Sequence, residues 1–166
     1  MKTEKFRYLA GVVAAHKGRQ IVGRTRLQKT VKLLQRVGLP TNYDYVLFFY
    51  GPYSEGVKSD LGLLEVLRLV DEEPNLSADG TIYYTIEAKP EADLPQIDPF
   101  KGQIKIMEDA SAVALELAAT YDSFRETGSD HDTALQRLHR KKPEKCSAAN
   151  ISEALSLLQK LGLPHK

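Results

Sequence analysis

Apolar residues recur at helical spacing from the start of the chain. Phe6, Leu9, Ala10 and Val13 fall three and four apart and define one stripe, which Lys17-Gly18-Arg19 interrupts. A second helix is predicted from Arg24 to Val37, with Leu27, Val31 and Leu34 on its stripe and Gly38 and Pro40 placed to end it. The segment from Tyr43 to Tyr50 has another pattern. It is aromatic or aliphatic throughout apart from Asp44, a composition that predicts a strand at least partly covered on both faces. Gly51-Pro52 closes that segment. Ser54 is then an N-cap for a third helix reaching about Leu67, with Val57, Leu61, Leu64 and Leu67 toward the core. Leu69 to Glu73 and the alternating Thr81 to Ile86 flank an Asp79-Gly80 turn and predict a β-hairpin.

Helix, helix, strand, helix, hairpin is the order of a winged helix, so residues 1–88 are expected to form a winged-helix-like unit. Residues 89–101 place Pro90, Pro95 and Pro99 among acids with no apolar period, which predicts an extended Pro-rich linker. Over 102–166 the helical pattern returns. Ile104, Met107, Ser111, Ala114, Ala118 and Tyr121 trace one long seam that Gly128-Ser129 ends. Asp130 or Asp132 caps a shorter helix with Leu135 and Leu138 inside it, and Ser147 or Asn150 caps a last one carrying Ile151, Leu155 and Leu158. Helices so rich in alanine cannot bury a large core alone, and this C-terminal extension is expected to pack on the first unit. The expected fold class is mainly α with a small β component.

Composition narrows the setting. A chain of 166 residues, 42% hydrophobic, fits one domain of ordinary size, or about 90 residues with a packed extension. No apolar run approaches the ~20 residues that cross a bilayer, the opening Met1 to Phe6 lacks a signal-like hydrophobic segment, and Cys146 is the only cysteine. These features predict a cytoplasmic protein without a membrane partner.

Charge changes the picture most. The net charge is +1, yet Met1 to Pro40 carry ten Lys/Arg and one acid, whereas Thr41 to Phe100 carry three Lys/Arg and twelve acids. On the second helix Arg24, Arg26, Lys29, Lys32 and Arg36 gather the basic excess, and they are the candidate partner-binding residues. Segregation of this kind serves an anionic partner, an internal basic-to-acidic packing surface, or a head-to-tail oligomer.

Candidate catalytic chemistry is sparse. Gly51-Pro52-Tyr53-Ser54 lacks a phosphate-binding pattern, and no Gly-x-Gly-x-x-Gly is present. His16, His131, His139 and His165 lack the spacing of a zinc site, so neither a metal nor a cofactor is expected. Asp130-His131-Asp132 is read as helix capping. Cys146 follows Lys141, Lys142 and Lys145, whose charges would lower a thiol pKa, but no partner base is placed by the sequence. No catalytic residue is assigned, and the chain is expected not to be an enzyme.

Two motifs carry a resemblance. Arg24-Thr25-Arg26-Leu27-Gln28-Lys29-Thr30-Val31-Lys32-Leu33-Leu34 followed by Gly51-Pro52-Tyr53-Ser54 resembles the bacterial YwgA family, with similarity continuing through Leu115 to Ala119 and at Lys142-Pro143. Over the N-terminal half it also resembles the Panacea domain of SocA-like antitoxins, although Lys32 stands where Panacea members tend to carry a tyrosine. The resemblance implies a prokaryotic or phage-derived, non-catalytic protein with a toxin-neutralising or defence-related role. From the residues themselves, Leu27 is core, the Gln28 amide is free to pin a neighbouring loop, and Gly51, Pro52, Tyr53 and Ser54 shape the strand-to-helix turn. A regulatory module whose basic face engages a protein partner, such as a toxin, is the first expectation. A DNA-binding winged helix is the alternative, against which the third helix sets Glu55, Asp60 and Glu65 beside Lys58 and Arg68. Oligomeric state stays open.

Overall fold

The computed structural model describes residues 3–166; Met1 and Lys2, the latter one of the opening cations, lie outside them. Among the described residues seven α-helices and five short strands follow in the order α1 (Lys5–Ala15), β1 (Gln20–Val22), α2 (Arg24–Arg36), β2 (Val46–Phe48), β3 (Gly51–Tyr53), α3 (Glu55–Val66), β4 (Val70–Leu76), β5 (Ile82–Ala88), α4 (Lys101–Glu108), α5 (Ala112–Glu126), α6 (His131–Lys141) and α7 (Ala148–Lys160). The protein is thus mainly α-helical with a small β component.

Local chemistry accounts for the helix starts. Ser54, Ser111, Asp130 and Ser147 each accept a hydrogen bond from the backbone N–H three residues on, satisfying a donor that the helix leaves free. β1, β5 and β4 form one antiparallel sheet in that order, with Ile21 opposite Ile86 and Val70 opposite Ala88, all four buried. Pro74 sits on β4, an edge strand, where a missing N–H is tolerated. β2 and β3 form a separate two-stranded hairpin.

Three expectations are corrected. The covered strand over 43–50 shrinks to Val46–Phe48, and all five residues Val46 to Tyr50 are exposed. The extended linker over 89–101 is instead two 3-10 turns, Pro90–Ala92 and Pro95–Phe100, with Ala92 and Ile97 buried against α1. Its prolines start tight turns; the missing periodicity reflects turns too short to show one. The single long seam from Ile104 onward is two helices, because Arg26 donates to the carbonyl oxygens of Met107 (3.1 Å) and Ala110 (2.8 Å) and ends α4 there. Ser111 then caps α5 afresh.

Among the described residues one contiguous core runs from Tyr8 to Leu163. Leu9, Val13, Leu27, Leu34 and Leu64 join Ile104, Leu117, Tyr121 and Leu158 within it, so the C-terminal helices are packed into the same interior as the first unit. The α1 backbone approaches the 3-10 turns closely: a Cβ on Gly11 would lie 2.6 Å from Ile97 Cγ1. Gly11→Ala is therefore expected to destabilise by about 1–3 kcal/mol through overpacking, even though alanine favours helices by about 1 kcal/mol. Gly62→Ala on α3, where a Cβ meets nothing within 4 Å, is expected to stabilise instead. Urea unfolding of the two variants gives opposite shifts of the midpoint; shifts of the same sign would contradict the close approach.

Candidate functional site

The five cations of α2 do not face outward as a shared docking surface. Arg24 makes a bidentate pair with Glu72 (2.7 and 2.8 Å) and stacks over the Tyr84 ring at 3.7 Å. Arg26 is spent on the end of α4. Lys32 pairs with Glu126 at 2.7 Å, and Arg36 holds Asp122 at 2.7 and 3.3 Å. Asp122 is fully buried, and Lys29 is only 3% exposed, with its Nζ donating to the Pro52 carbonyl oxygen at 2.7 Å. Counter-charges from β4 and α5 reach Arg24, Lys32 and Arg36, and carbonyl oxygens take up Arg26 and Lys29. Of these pairs only Arg24–Glu72 joins the basic segment 1–40 to the acidic segment 41–100, as Arg19–Asp93 also does, whereas Lys32 and Arg36 find their carboxylates on α5.

Burial leaves its mark on the lysines. Desolvation pushes the Lys29 amine down from 10.5 to about 8; nearby Glu116 opposes this, while Lys142 and Lys145 add to it. Lys142 is lowered for the same first reason. It donates to the Phe49 carbonyl oxygen at 3.0 Å and lies 3.6 Å from Glu116, whose other oxygen accepts from Lys145 at 2.7 Å. Three ammonium groups therefore surround one buried carboxylate beneath the β2–β3 turn.

The loop motif completes this seat. The Gln28 amide both donates to the Ser54 carbonyl oxygen and accepts from the Ser54 N–H, each at 2.9 Å. Gly51 has φ +94°, and a Cβ there would sit 2.6 Å from Thr120 Oγ1. Glycine is required on both counts. Pro52 is buried opposite Leu47, Tyr53 sets its ring edge-on to Phe48 at 5.5 Å, and Leu27 lies in the core.

Held from beneath by Lys29, Lys142 and Gln28, the hairpin displays Val46, Leu47, Phe48, Phe49 and Tyr50 on its outside, with Phe49 85% exposed. Phe48 and Phe49 stack at 5.9 Å, and Lys145 lies 5.2 Å from the Tyr50 ring centre. Beside the turn a groove of about 650 Å³ opens between the hairpin, the start of α2 and the face of α3 bearing Lys58, Leu61 and Glu65. Five adjacent exposed apolar residues next to a concave, largely apolar surface have the makings of a docking site. The run of apolar residues carried this signal in the sequence, but there it was equally that of a buried strand.

The other candidates take structural places. Asp130 caps α6 through Thr133 N–H, and His131 Nδ1 meets the Tyr121 hydroxyl at 2.8 Å. Burial pushes the Cys146 thiol up, outweighing the opposing pull of Lys142, so the expected lowering is reversed. Among the described residues no three His, Cys, Asp or Glu side chains gather as a metal site needs, and no helix is long and apolar enough to cross a membrane. Neither a protein-family model nor a curated protein sequence matches the chain.

Two substitutions probe the seat. Glu116→Gln removes the carboxylate shared by Lys142 and Lys145 and is expected to cost about 3 kcal/mol or more in urea unfolding, the scale for orphaning buried charge; a loss below about 0.5 kcal/mol would contradict the cluster. Between about pH 8 and 10.5 the folded Lys29 binds fewer protons than the unfolded chain, so its contribution makes stability rise with pH across that window. Lys29→Met is expected to flatten this rise relative to the parent protein. Equal slopes for the two proteins would refute it.

Proposed function

We propose that this chain is a non-catalytic regulatory module that works by binding a protein partner, and that its docking surface is the aromatic β2–β3 hairpin with the adjoining groove. The observation that carries the reading is the exposure of Val46 to Tyr50 on a turn whose backbone is anchored by buried lysines. Presenting apolar side chains on a pre-positioned turn limits the ordering cost of association. The β1-β5-β4 sheet with α1, α2 and α3 supports a winged-helix-like frame beneath it. An antitoxin-like or defence-related role follows from the resemblance to YwgA and Panacea proteins, with the contact surface moved from the α2 cations to the hairpin.

Reading of DNA finds less support. The helix that a winged helix lays in the major groove is α3, which bears Glu55, Asp60 and Glu65, and the α2 cations that would hold phosphate are engaged with Glu72, Glu126 and Asp122. Capture from native cells with the wild-type chain and with Phe49→Asp, each with and without nuclease, tests the proposal. Nuclease-resistant retention of a specific protein that the variant loses is the expected result. Equal retention by both chains would remove the hairpin from the function.

A further inference from the structure

We infer that Lys29 is a modification site for carbon dioxide: its side-chain amine, reached from the groove, takes up the gas reversibly as a carbamate. This goes beyond the protein-binding role and needs no partner on the hairpin. Lys29 is among the residues lining the groove, yet it is only 3% exposed. Its Nζ donates to the Pro52 carbonyl oxygen at 2.7 Å and, among the described residues, enters no ion pair. Carbon dioxide is linear, uncharged and three atoms long, so it fits an opening that shuts out larger acylating reagents. Lys142 is a poorer candidate, because it lies 3.6 Å from Glu116 and does not line the groove.

Charge balance within the cluster gives the site its preference. The charged groups acting on Lys29 are Glu116, Lys142 and Lys145. With Lys29 as an ammonium, three cations face one carboxylate; as a free amine it leaves two against one. A carbamate evens the count, because Lys142 and Lys145 then face Glu116 and the new anion. Buried charge is tolerated best when it is paired in this way. A lysine desolvated beside other cations also sheds its proton readily and becomes a nucleophile, and the Lys29 amine is down to about 8. In the step, the Nζ lone pair forms a bond to the carbon of carbon dioxide, one C=O π pair moves onto oxygen, and a proton leaves the nitrogen for solvent. Nothing is oxidised or reduced. The carbamate nitrogen keeps one hydrogen, which suffices to go on donating to Pro52, so the hairpin stays anchored.

Carbon NMR of the full chain in isotopically enriched bicarbonate tests this, with heavy-nitrogen lysine incorporated so that coupling separates a lysine carbamate from one on the chain's α-amine. A lysine carbamate resonance is expected in the wild type and not in Lys29→Met. At fixed bicarbonate its intensity should climb as the amine loses its proton and level off above about pH 8, whereas an ordinary lysine keeps rising toward 10.5. Lys145→Gln, which still offers Glu116 a donor, should lower the occupancy about threefold or more by withdrawing one of the two cations that face the carbamate. Circular dichroism checks that Lys29→Met folds; if it does not, the wild-type plateau decides the assignment. No lysine carbamate, a resonance that a folded Lys29→Met retains, an intensity still rising well above pH 8, or an occupancy unmoved by Lys145→Gln would each overturn the proposal.

Discussion

The structure depends on one constraint: α2 carries Lys29 and Lys32 into the interior and half-buries Arg26 and Arg36, and every cation so placed must find an acceptor there. Taking ammonium and guanidinium groups out of water costs several kcal/mol each unless carboxylates or carbonyl oxygens replace the hydration they lose. The acceptors come from remote parts of the chain. Glu72 lies on β4, Asp122 and Glu126 on α5, and the carbonyl oxygens of Met107 and Ala110 at the end of α4. Without α5, Lys32 and Arg36 would have no carboxylate, which is why the C-terminal helices belong to the same core as the first unit and not to an appended domain.

That constraint also shapes the surface. Lys29 and Lys142 satisfy part of their hydrogen-bonding need on the carbonyl oxygens of Pro52 and Phe49, so the buried charge grips the backbone of the β2–β3 hairpin. A two-stranded hairpin on its own is marginal in water. Here it is fixed from below by Lys29, Lys142 and Gln28, and its outer side chains are left to solvent. The electrostatic interior and the apolar exterior of the hairpin are therefore two sides of one arrangement: buried cations position the turn, and the positioned turn offers Phe48, Phe49 and Tyr50 to a partner.

Much of the fold was legible because its signals are local. Ser54, Asp130 and Ser147 announce helix starts within a few residues, Gly38 and Gly162 mark ends with positive φ, and Asp79-Gly80 marks the β4–β5 turn. What escaped was decided at a distance. A helical wheel places Lys29, Lys32 and Arg36 on a polar face, and nothing within α2 reveals that Asp122 waits 86 residues beyond Arg36. The Tyr43 to Tyr50 run has the composition of a buried strand, yet Tyr43 alone of it joins the core while Val46 to Tyr50 stay exposed, a division that composition does not mark. Ile97 is a core residue in a proline-rich stretch whose turns are too short for periodicity to single it out. The site was legible in part: Gln28 and Gly51 to Ser54 do sit together, while the role of the cations turned from contacting a partner to supporting the surface that does.

Amine-reactive labelling of the native protein, read lysine by lysine by mass spectrometry at neutral pH, tests the inward placement of the α2 cations most directly. Lys29, Lys32 and Lys142 should resist modification until the protein is unfolded, while exposed Lys58 and Lys141 react at once. Modification of Lys29 and Lys32 in the folded protein at the rate of Lys141 would contradict the account.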